Sequence, residues 1–150
     1  MLRQLAVGPR TRHQLATKLA DKDIPNDAAK SVLDRMTEVG LIDDEAFAHM
    51  FVRSQVDSRG LAPMALRHEL RKKGVSDDLI SLAVGEVEPD DQRATAQALV
   101  DKKLRTMHGL ERVVQTRRLA GLLARKGYPA GLSYEVIREA IDALPPGASL

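Results

Sequence analysis

Cysteine and tryptophan are absent from this chain of 150 residues, and only four of its side chains are aromatic. Without cysteine the chain forms neither disulfides nor thiolate metal sites, which fits a reducing compartment. The aromatic residues are Phe47, Phe51, Tyr128 and Tyr134, so a hydrophobic core must be built from aliphatic side chains. A core rich in leucine and alanine is typical of packed helices, and we expect an all-α protein.

Long apolar runs are also absent. No stretch approaches the ~20 apolar residues that a membrane-spanning helix needs. The first residues lack the apolar segment of a secretory signal peptide. We therefore expect a cytoplasmic protein that makes no membrane contact.

A leucine and lysine pattern recurs three times along the chain. It reads Leu-x-x-x-Leu-x-x-Lys and ends at Lys22, Lys73 and Lys126, which lie 51 and 53 residues apart. A period of about 50 residues is typical of stacked structural units. The same offsets relate three apolar sets: Val32 with Ala83 and Val136, Leu33 with Val84 and Ile137, and Met36 with Val87 and Ala140. Two patterns thus predict three tandem units.

Each unit is predicted to contain three helices, because helical periodicity runs through nearly the whole sequence. The first helix is predicted at about Asp44–Arg59 in unit two, at about Asp90–Arg105 in unit three, and only at Met1–Val7 in unit one. The middle helix carries the repeated pattern. In the third helices, Gly40 provides a C-cap, whereas Ser76 and Ser133 open their helices. The predicted boundaries are unit one at 1–40, unit two at 41–88, unit three at 89–144, and a disordered tail at 145–150.

Asp43 and Asp44 invite interpretation as a catalytic pair or a metal site. Adjacent residues on a helix point about 100° apart, so their carboxylates do not converge on one ion. Helix capping by Asp43, with Asp44 in the first turn, is the favoured interpretation. The four histidines have no partner at ligand spacing, and no glycine-rich phosphate loop is present. We predict no catalytic residue, no metal and no cofactor.

Positive charge is concentrated in two segments. Residues 102–126 hold eight lysines and arginines against the single acid Glu111, and residues 67–73 hold a smaller basic cluster. A cation in the last helical turn opposes the helix dipole, which is one explanation of the repeated lysines. The other is a row of charge along one edge of the stacked units, facing a polyanion or an acidic partner. The predicted partner-binding residues are Arg67, Arg71, Lys72, Lys73, Arg117, Arg118, Arg125 and Lys126.

Direct recognition of duplex DNA is less favoured, because the basic residues spread over several helices instead of one recognition helix. Single-strand binding by base stacking needs exposed aromatic rings, for which only Tyr128 and Tyr134 qualify. Phe47 and Phe51 are predicted to lie in the core.

Together these residues resemble the RecX family of bacterial recombinase regulators. The resemblance covers about four-fifths of the chain, and its most specific segment is Gly40-Leu41-Ile42-Asp43-Asp44-x-x-Phe47-Ala48. It fades between residues 86 and 110. The other matching segments are Thr11 to Leu19, Val32 to Met36, Phe51 to Ser54, Arg59-Gly60, Leu66 to Val75 and Arg117 to Gly127.

The resemblance implies an elongated, curved array of three tandem three-helix units, the first one shortened. RecX-like proteins carry a longer first helix before the position of Arg10, so an upstream start or an altered first unit is expected. The resemblance also implies a monomeric, non-enzymatic protein that binds the RecA filament on single-stranded DNA. It would inhibit filament growth, ATP hydrolysis, strand exchange and the co-protease activity of the SOS response, with weak direct DNA contact. The alternative is a basic helical DNA-binding module that acts without a recombinase.

Overall fold

A computed structural model of the protein describes residues 9–145, and this part of the chain contains eight α-helices and no strand. The prediction of an all-α protein is confirmed. The predicted helix at Met1–Val7 and residues 146–150 of the predicted tail lie outside the described residues. The helices are α1 (Arg12–Asp21), α2 (Asn26–Glu38), α3 (Asp44–Arg59), α4 (Pro63–Lys72), α5 (Asp77–Val84), α6 (Pro89–Leu104), α7 (Arg112–Arg125) and α8 (Ala130–Asp142).

Helices α1, α4 and α7 carry the repeated leucine and lysine pattern, as predicted for the middle helix of each unit. Helix α1 packs on α2, and α6, α7 and α8 pack on one another. Each of these helices between residues 9 and 145 is too short or too polar to span a bilayer.

The chain divides into two compact units that do not follow the repeat boundaries. The first comprises Met1–Arg53 with Arg67–Gly85, and the second comprises Ser54–Leu66 with Glu86–Leu150. Helices α3 and α4 therefore contribute residues to both compact units. One core cluster of the first unit contains Leu15, Leu19, Ala29, Leu33, Met36 and Ile42. A cluster of the second contains Ala62, Ala96, Val100, Leu104, Met107, Leu119, Leu123, Tyr128, Val136, Ile137 and Ile141.

In the first compact unit, polar contacts fix α1 against α2. The Arg12 guanidinium lies 2.6 Å from an Asp34 carboxylate oxygen and 3.0 Å from the Thr37 hydroxyl. The Lys30 ammonium lies 2.8 Å from the other Asp34 oxygen. Hydrogen bonds from Lys30 and from Arg12 lower the pKa of the Asp34 carboxyl, because both stabilise its charged form.

In the second compact unit, ion pairs link α8 to α6 and α7 around an aliphatic core. Arg93 of α6 lies 2.8 Å from Glu139 and 3.5 Å from Glu135 on α8. Arg112 of α7 pairs with Asp142 at the end of α8. The Glu139 hydrogen bond raises the pKa of the Arg93 guanidinium, so this cation stays charged. These exposed pairs orient the helices that burial of the aliphatic core holds together.

Several local predictions are confirmed. Helix α3 spans the predicted residues, α6 begins one residue before its predicted start, and Ser76 caps α5. Gly40 lies just beyond α2 at φ +80, the left-handed conformation expected of a C-cap glycine. Phe47 and Phe51 are buried, as predicted, with stacked rings whose centroids are 6.0 Å apart.

One local prediction is wrong, and two of the recurring apolar positions lie outside a buried helical stripe. Ser133 lies inside α8, where its hydroxyl donates to the Pro129 carbonyl at 2.9 Å; this bond to the preceding turn is available within a helix, so the serine does not mark a start. Val87 lies beyond α5, because the chain approaches Pro89, which disfavours helical residues before it. Val32 is 40% exposed, because α2 buries the narrower stripe of Ala29, Leu33 and Met36.

Candidate partner-binding surface

The eight predicted partner-binding residues fall into two sets, one in each compact unit. Six of them have exposed side chains, whereas Lys73 and Lys126 are half-buried. The alignment of the two sets along one edge stays a prediction. On α4 and just after it lie Arg67, Arg71, Lys72 and Lys73; on α7 and just after it lie Arg117, Arg118, Arg125 and Lys126.

Arg71 has an ion-pair partner at the start of the next helix. Its Nε lies 3.1 Å from a carboxylate oxygen of Asp77, and the two side chains are 61% and 78% exposed. A pair this exposed contributes only ~0–1 kcal/mol to folding. The Arg71 guanidinium therefore remains available to a partner that offers a stronger anion.

Lys73 contacts an aromatic ring as well as solvent. Its ammonium lies 5.4 Å from the centroid of the buried Phe51 ring, within the range of a cation–π interaction. This contact lies inside the first compact unit and ties the end of α4 to α3.

The backbone after α4 meets the start of α1 in a close contact that we name the first joint. The buried Thr11 hydroxyl accepts a hydrogen bond from the backbone N–H of Gln14 at 3.1 Å and donates one to the Lys73 carbonyl at 2.6 Å. Gly74, at φ +82, follows directly, and a Cβ added to it would lie 2.1 Å from Cβ of His13. Glycine is needed here both for the backbone conformation and for the space.

The backbone after α7 meets the turn between α3 and α4 in an equivalent contact, the second joint. The Lys126 carbonyl accepts from the Ala62 amide at 2.9 Å, and the Lys126 ammonium donates to the Arg59 carbonyl at 2.6 Å. The Tyr128 hydroxyl donates to the Gly60 carbonyl at 2.8 Å. Three hydrogen bonds thus hold this turn within the second compact unit.

Close packing accompanies these bonds at Gly127. This residue has φ +92, and an added Cβ would lie 2.6 Å from the backbone nitrogen of Ala65. The lysine and glycine of the repeated pattern therefore serve the same purpose after α4 and after α7: a lysine carbonyl accepts a hydrogen bond, and the glycine admits a neighbouring helix start. After α1 the same position holds Asp23, exposed and at φ +59.

Two parts of the joints were missed or misassigned from the sequence. Tyr128 was a candidate for base stacking, but it is only 6% exposed, and burial raises its pKa to about 12. Thr11 was not recognised as a joint residue. The 51-residue offset aligns Thr11 with Ala62, but the two residue types differ, so the offset alone does not mark a joint. The dipole explanation of the lysines was incomplete, because the Lys126 ammonium bonds a carbonyl of α3 and not one of its own helix.

Asp43 and Asp44 bind backbone amides. An Asp43 carboxylate oxygen accepts from the Ala46 amide at 3.0 Å, which confirms the predicted cap of α3. An Asp44 oxygen accepts from the Arg12 amide at 2.9 Å and so joins the starts of α1 and α3. Over residues 9–145, no group of three histidine or acidic side chains is placed to hold a metal ion.

Two open cavities lie beside predicted partner-binding residues, one in each compact unit. In the first, about 380 Å³ is lined by Lys72 together with Arg10, His13, Lys18 and Asp21 and by two uncharged polar side chains. In the second, of about 390 Å³, the lining residues are Arg112, Val113, Thr116, Arg117, Ala120 and Tyr134. The second cavity is distinctive because Tyr134 is 55% exposed and Val113 is 70% exposed.

Family models match three successive parts of the chain. They describe the first three-helix domain of RecX over residues 1–36, the second over residues 43–84, and the third over residues 90–141. The chain is 50% identical over 141 residues to the regulatory protein RecX of Streptomyces coelicolor, covering 94% of this chain and 75% of that protein. It is 45% identical over 142 residues to the regulatory protein RecX of Thermobifida fusca, covering 95% and 77%.

Solved structures agree with these matches. A crystal structure of a regulatory protein RecX superposes with a TM-score of 0.81 at 27% identity, covering 93% of this chain and 68% of that one. The crystal structure of RecX from Lactobacillus salivarius gives a TM-score of 0.80 at 24% identity, covering 93% and 91%, and shows the shared fold. The prediction of three tandem three-helix units is confirmed. The chain belongs to the RecX family.

Proposed function

We propose that this protein binds the RecA filament on single-stranded DNA and inhibits its growth, ATP hydrolysis, strand exchange and SOS co-protease activity. The observation that carries the proposal is that all three RecX domains are matched along one chain. The protein acts by binding, as a cytoplasmic monomer without a cofactor.

Both compact units carry exposed positive side chains, which could contact several repeated subunits of a filament. Arg67 and Lys72 are exposed in the first unit, and Arg117 and Arg125 are exposed in the second. Guanidinium and ammonium groups form charge-assisted hydrogen bonds with carboxylates and phosphates, both of which a protein–DNA filament offers. Several weak contacts on one chain raise the overall affinity without any single strong site. We assign the eight predicted cations to this contact, with Lys73 and Lys126 contributing to the joints as well.

The test is inhibition of RecA's DNA-dependent ATP hydrolysis by the purified protein. Arg71→Glu and Arg125→Glu should each weaken inhibition, and the double variant should weaken it further. Arg138→Glu reverses an exposed charge of α8 outside the proposed set and serves as the matched control. Full inhibition by the double variant, with helical content unchanged, would remove these residues from the contact. No inhibition by the wild-type protein would overturn the proposed function.

A second measurement separates this function from that of a plain DNA-binding module. Affinities for bare and RecA-coated single strands are compared at the same salt concentration, since phosphate contacts weaken as salt rises. We expect much tighter binding to the coated strand. Equal affinities would favour the module that needs no recombinase.

A further inference from the structure

Helix α7 begins differently from the other two middle helices. Helices α1 and α4 begin three residues before the first leucine of the pattern, at Arg12 and Pro63, whereas α7 begins seven residues before Leu119, at Arg112. The additional turn brings Arg112 and Val113 into the helix. In the third repeat, the helix therefore extends further before the leucine pattern, on the side where the helices of the earlier repeats form their joints.

The joint positions of the third repeat carry cations. His13 lies two residues before Leu15 and faces Gly74. Its counterpart, two residues before Leu119, is Arg117. Ala65, one residue before Leu66, faces Gly127, and its counterpart is Arg118. Both arginines are exposed, so this face of α7 presents positive charge where the earlier repeats present a packing surface.

Beside this face lies the open cavity that Tyr134 of α8 shares with Arg112, Val113 and Arg117 of α7. Its volume of about 390 Å³ is at the small end of the ~300–1,000 Å³ range of ligand pockets. Arg112 already pairs with Asp142, whereas Arg117 forms no ion pair with another described residue. An exposed aromatic ring, an exposed aliphatic side chain and a cation thus line one recess.

We propose that this cavity binds one nucleotide of single-stranded nucleic acid, with the base against Tyr134 and Val113 and a backbone phosphate on Arg117. Every base has a π-face, so stacking on an aromatic ring tolerates any sequence, and a neighbouring cation follows the backbone. The eight-to-one excess of basic residues over residues 102–126 favours a phosphodiester over an acidic peptide, because it extends well beyond the cavity. The inference rests on the proposed function, within which it places the single-stranded DNA on the third domain. Its test needs no recombinase.

A second copy of this chain fits the face poorly. By analogy with the two joints, the copy would have to present the end of α1, where Asp23 stands in place of glycine. At Gly74 and Gly127 an added Cβ would lie only 2.1 Å and 2.6 Å from the nearest atom of the neighbouring helix. An aspartate in the position of either glycine would therefore clash.

The test measures binding of fluorescein-labelled oligo(dT) and of an abasic strand of equal length by anisotropy, at low salt and then at a series of rising salt concentrations. Removing the bases should weaken binding to the wild-type protein. Tyr134→Ala should weaken oligo(dT) binding about 5- to 150-fold, the range for loss of one stacked base, and should change abasic binding little. Tyr134→Phe keeps the ring and should bind like the wild type. Arg117→Gln should weaken both strands and reduce the salt slope by about 0.7. Leu82→Ala removes a 59%-exposed apolar side chain from α5 and is the control.

Unchanged oligo(dT) affinity in folded Tyr134→Ala would overturn the inference, as would an equal effect of this change on both strands. Weaker RecA inhibition by Tyr134→Ala with unchanged oligo(dT) affinity would show that the cavity contacts protein; the inference would then fail and the proposed function would stand. Base-dependent binding at Tyr134 without any inhibition of RecA would leave the nucleotide site standing and refute the proposed function.

Discussion

The first joint uses a threonine hydroxyl where the second uses a backbone amide. Thr11 donates to the Lys73 carbonyl at 2.6 Å, and Ala62, 51 residues later, donates its N–H to the Lys126 carbonyl at 2.9 Å. The acceptor and the glycine after it are the same in both. What recurs along the sequence is therefore a lysine carbonyl that accepts a hydrogen bond, followed by a glycine. The group that donates this hydrogen bond differs between the two joints.

The lysine side chains differ more than their backbones. The Lys73 ammonium lies over the Phe51 ring, whereas the Lys126 ammonium bonds the carbonyl at the end of α3. The second joint also gains the Tyr128 hydroxyl. A recurring residue type can thus mark a common joint while each side chain acquires its own local contact.

The largest effects are expected when the glycines of the two joints are replaced. Gly74→Ala and Gly127→Ala should each lower the free energy of unfolding by about 3 kcal/mol or more, because a left-handed backbone and a steric clash act together. Gly40→Ala and Gly109→Ala share the positive φ but have nothing within 4 Å of the added Cβ, so they should lose only about 1–2 kcal/mol. Urea denaturation measures all four. Equal losses would mean that close packing at the joints contributes nothing.

The next test concerns the donor that only the first joint uses. Thr11→Val keeps the side-chain shape but removes both the cap of α1 and the bond to the Lys73 carbonyl, and should cost about 2 kcal/mol. Thr11→Ser keeps the hydroxyl and should lose much less. If the valine and serine variants unfolded at the same urea concentration, the hydroxyl would not be the donor that matters.

In the second joint, Tyr128→Phe should cost about 1.5 kcal/mol, because the buried Gly60 carbonyl loses its partner. Tyr134→Phe, at an exposed position, should cost nothing measurable. Burial raises the pKa of Tyr128 to about 12, so its contribution is present below pH 10 and is lost as the pH rises towards about 12. Stability curves that fall equally over this range in the wild type and in Tyr128→Phe would contradict the assignment.

The smallest effects are expected at the lysines themselves. Lys126→Met should lose about 1 kcal/mol with its hydrogen bond to the Arg59 carbonyl. Lys73→Met should lose only about 0.5 kcal/mol, since a cation–π contact whose cation stays partly hydrated is weak. Lys72→Met removes the same charge from an exposed position and should leave stability unchanged. The three variants separate the contribution of each lysine to joint stability from the contribution of its charge to the proposed RecA contact.

Signals that are local in sequence predicted the fold well. Helix α3 was placed because Asp43 caps it, Phe47 and Phe51 lie one turn apart, and Gly60 ends it. Ser133 misled because a serine that bonds the preceding turn looks like a cap in sequence.

The joints escaped prediction because their partners are far apart in the chain. Thr11 and Lys73 are separated by 62 residues, and Gly60 and Tyr128 by 68. Neither contact produces a recognisable pattern in the nearby sequence. The burial of Tyr128 depends on tertiary packing and cannot be read from its sequence neighbours. The partner-binding residues could be proposed from charge alone, but the combination of Tyr134 with Arg117 in one cavity required the packing of α8 on α7.

The scarcity of aromatic residues gives this protein a built-in optical reporter. With no tryptophan and two tyrosines, its near-ultraviolet absorbance comes mainly from one buried phenol and one exposed phenol. During an alkaline titration, the Tyr128 phenol should ionise only as the pH approaches about 12, because burial raises its pKa. Label-free spectroscopy could therefore follow the opening of the second joint and the occupancy of the Tyr134 cavity in the same sample.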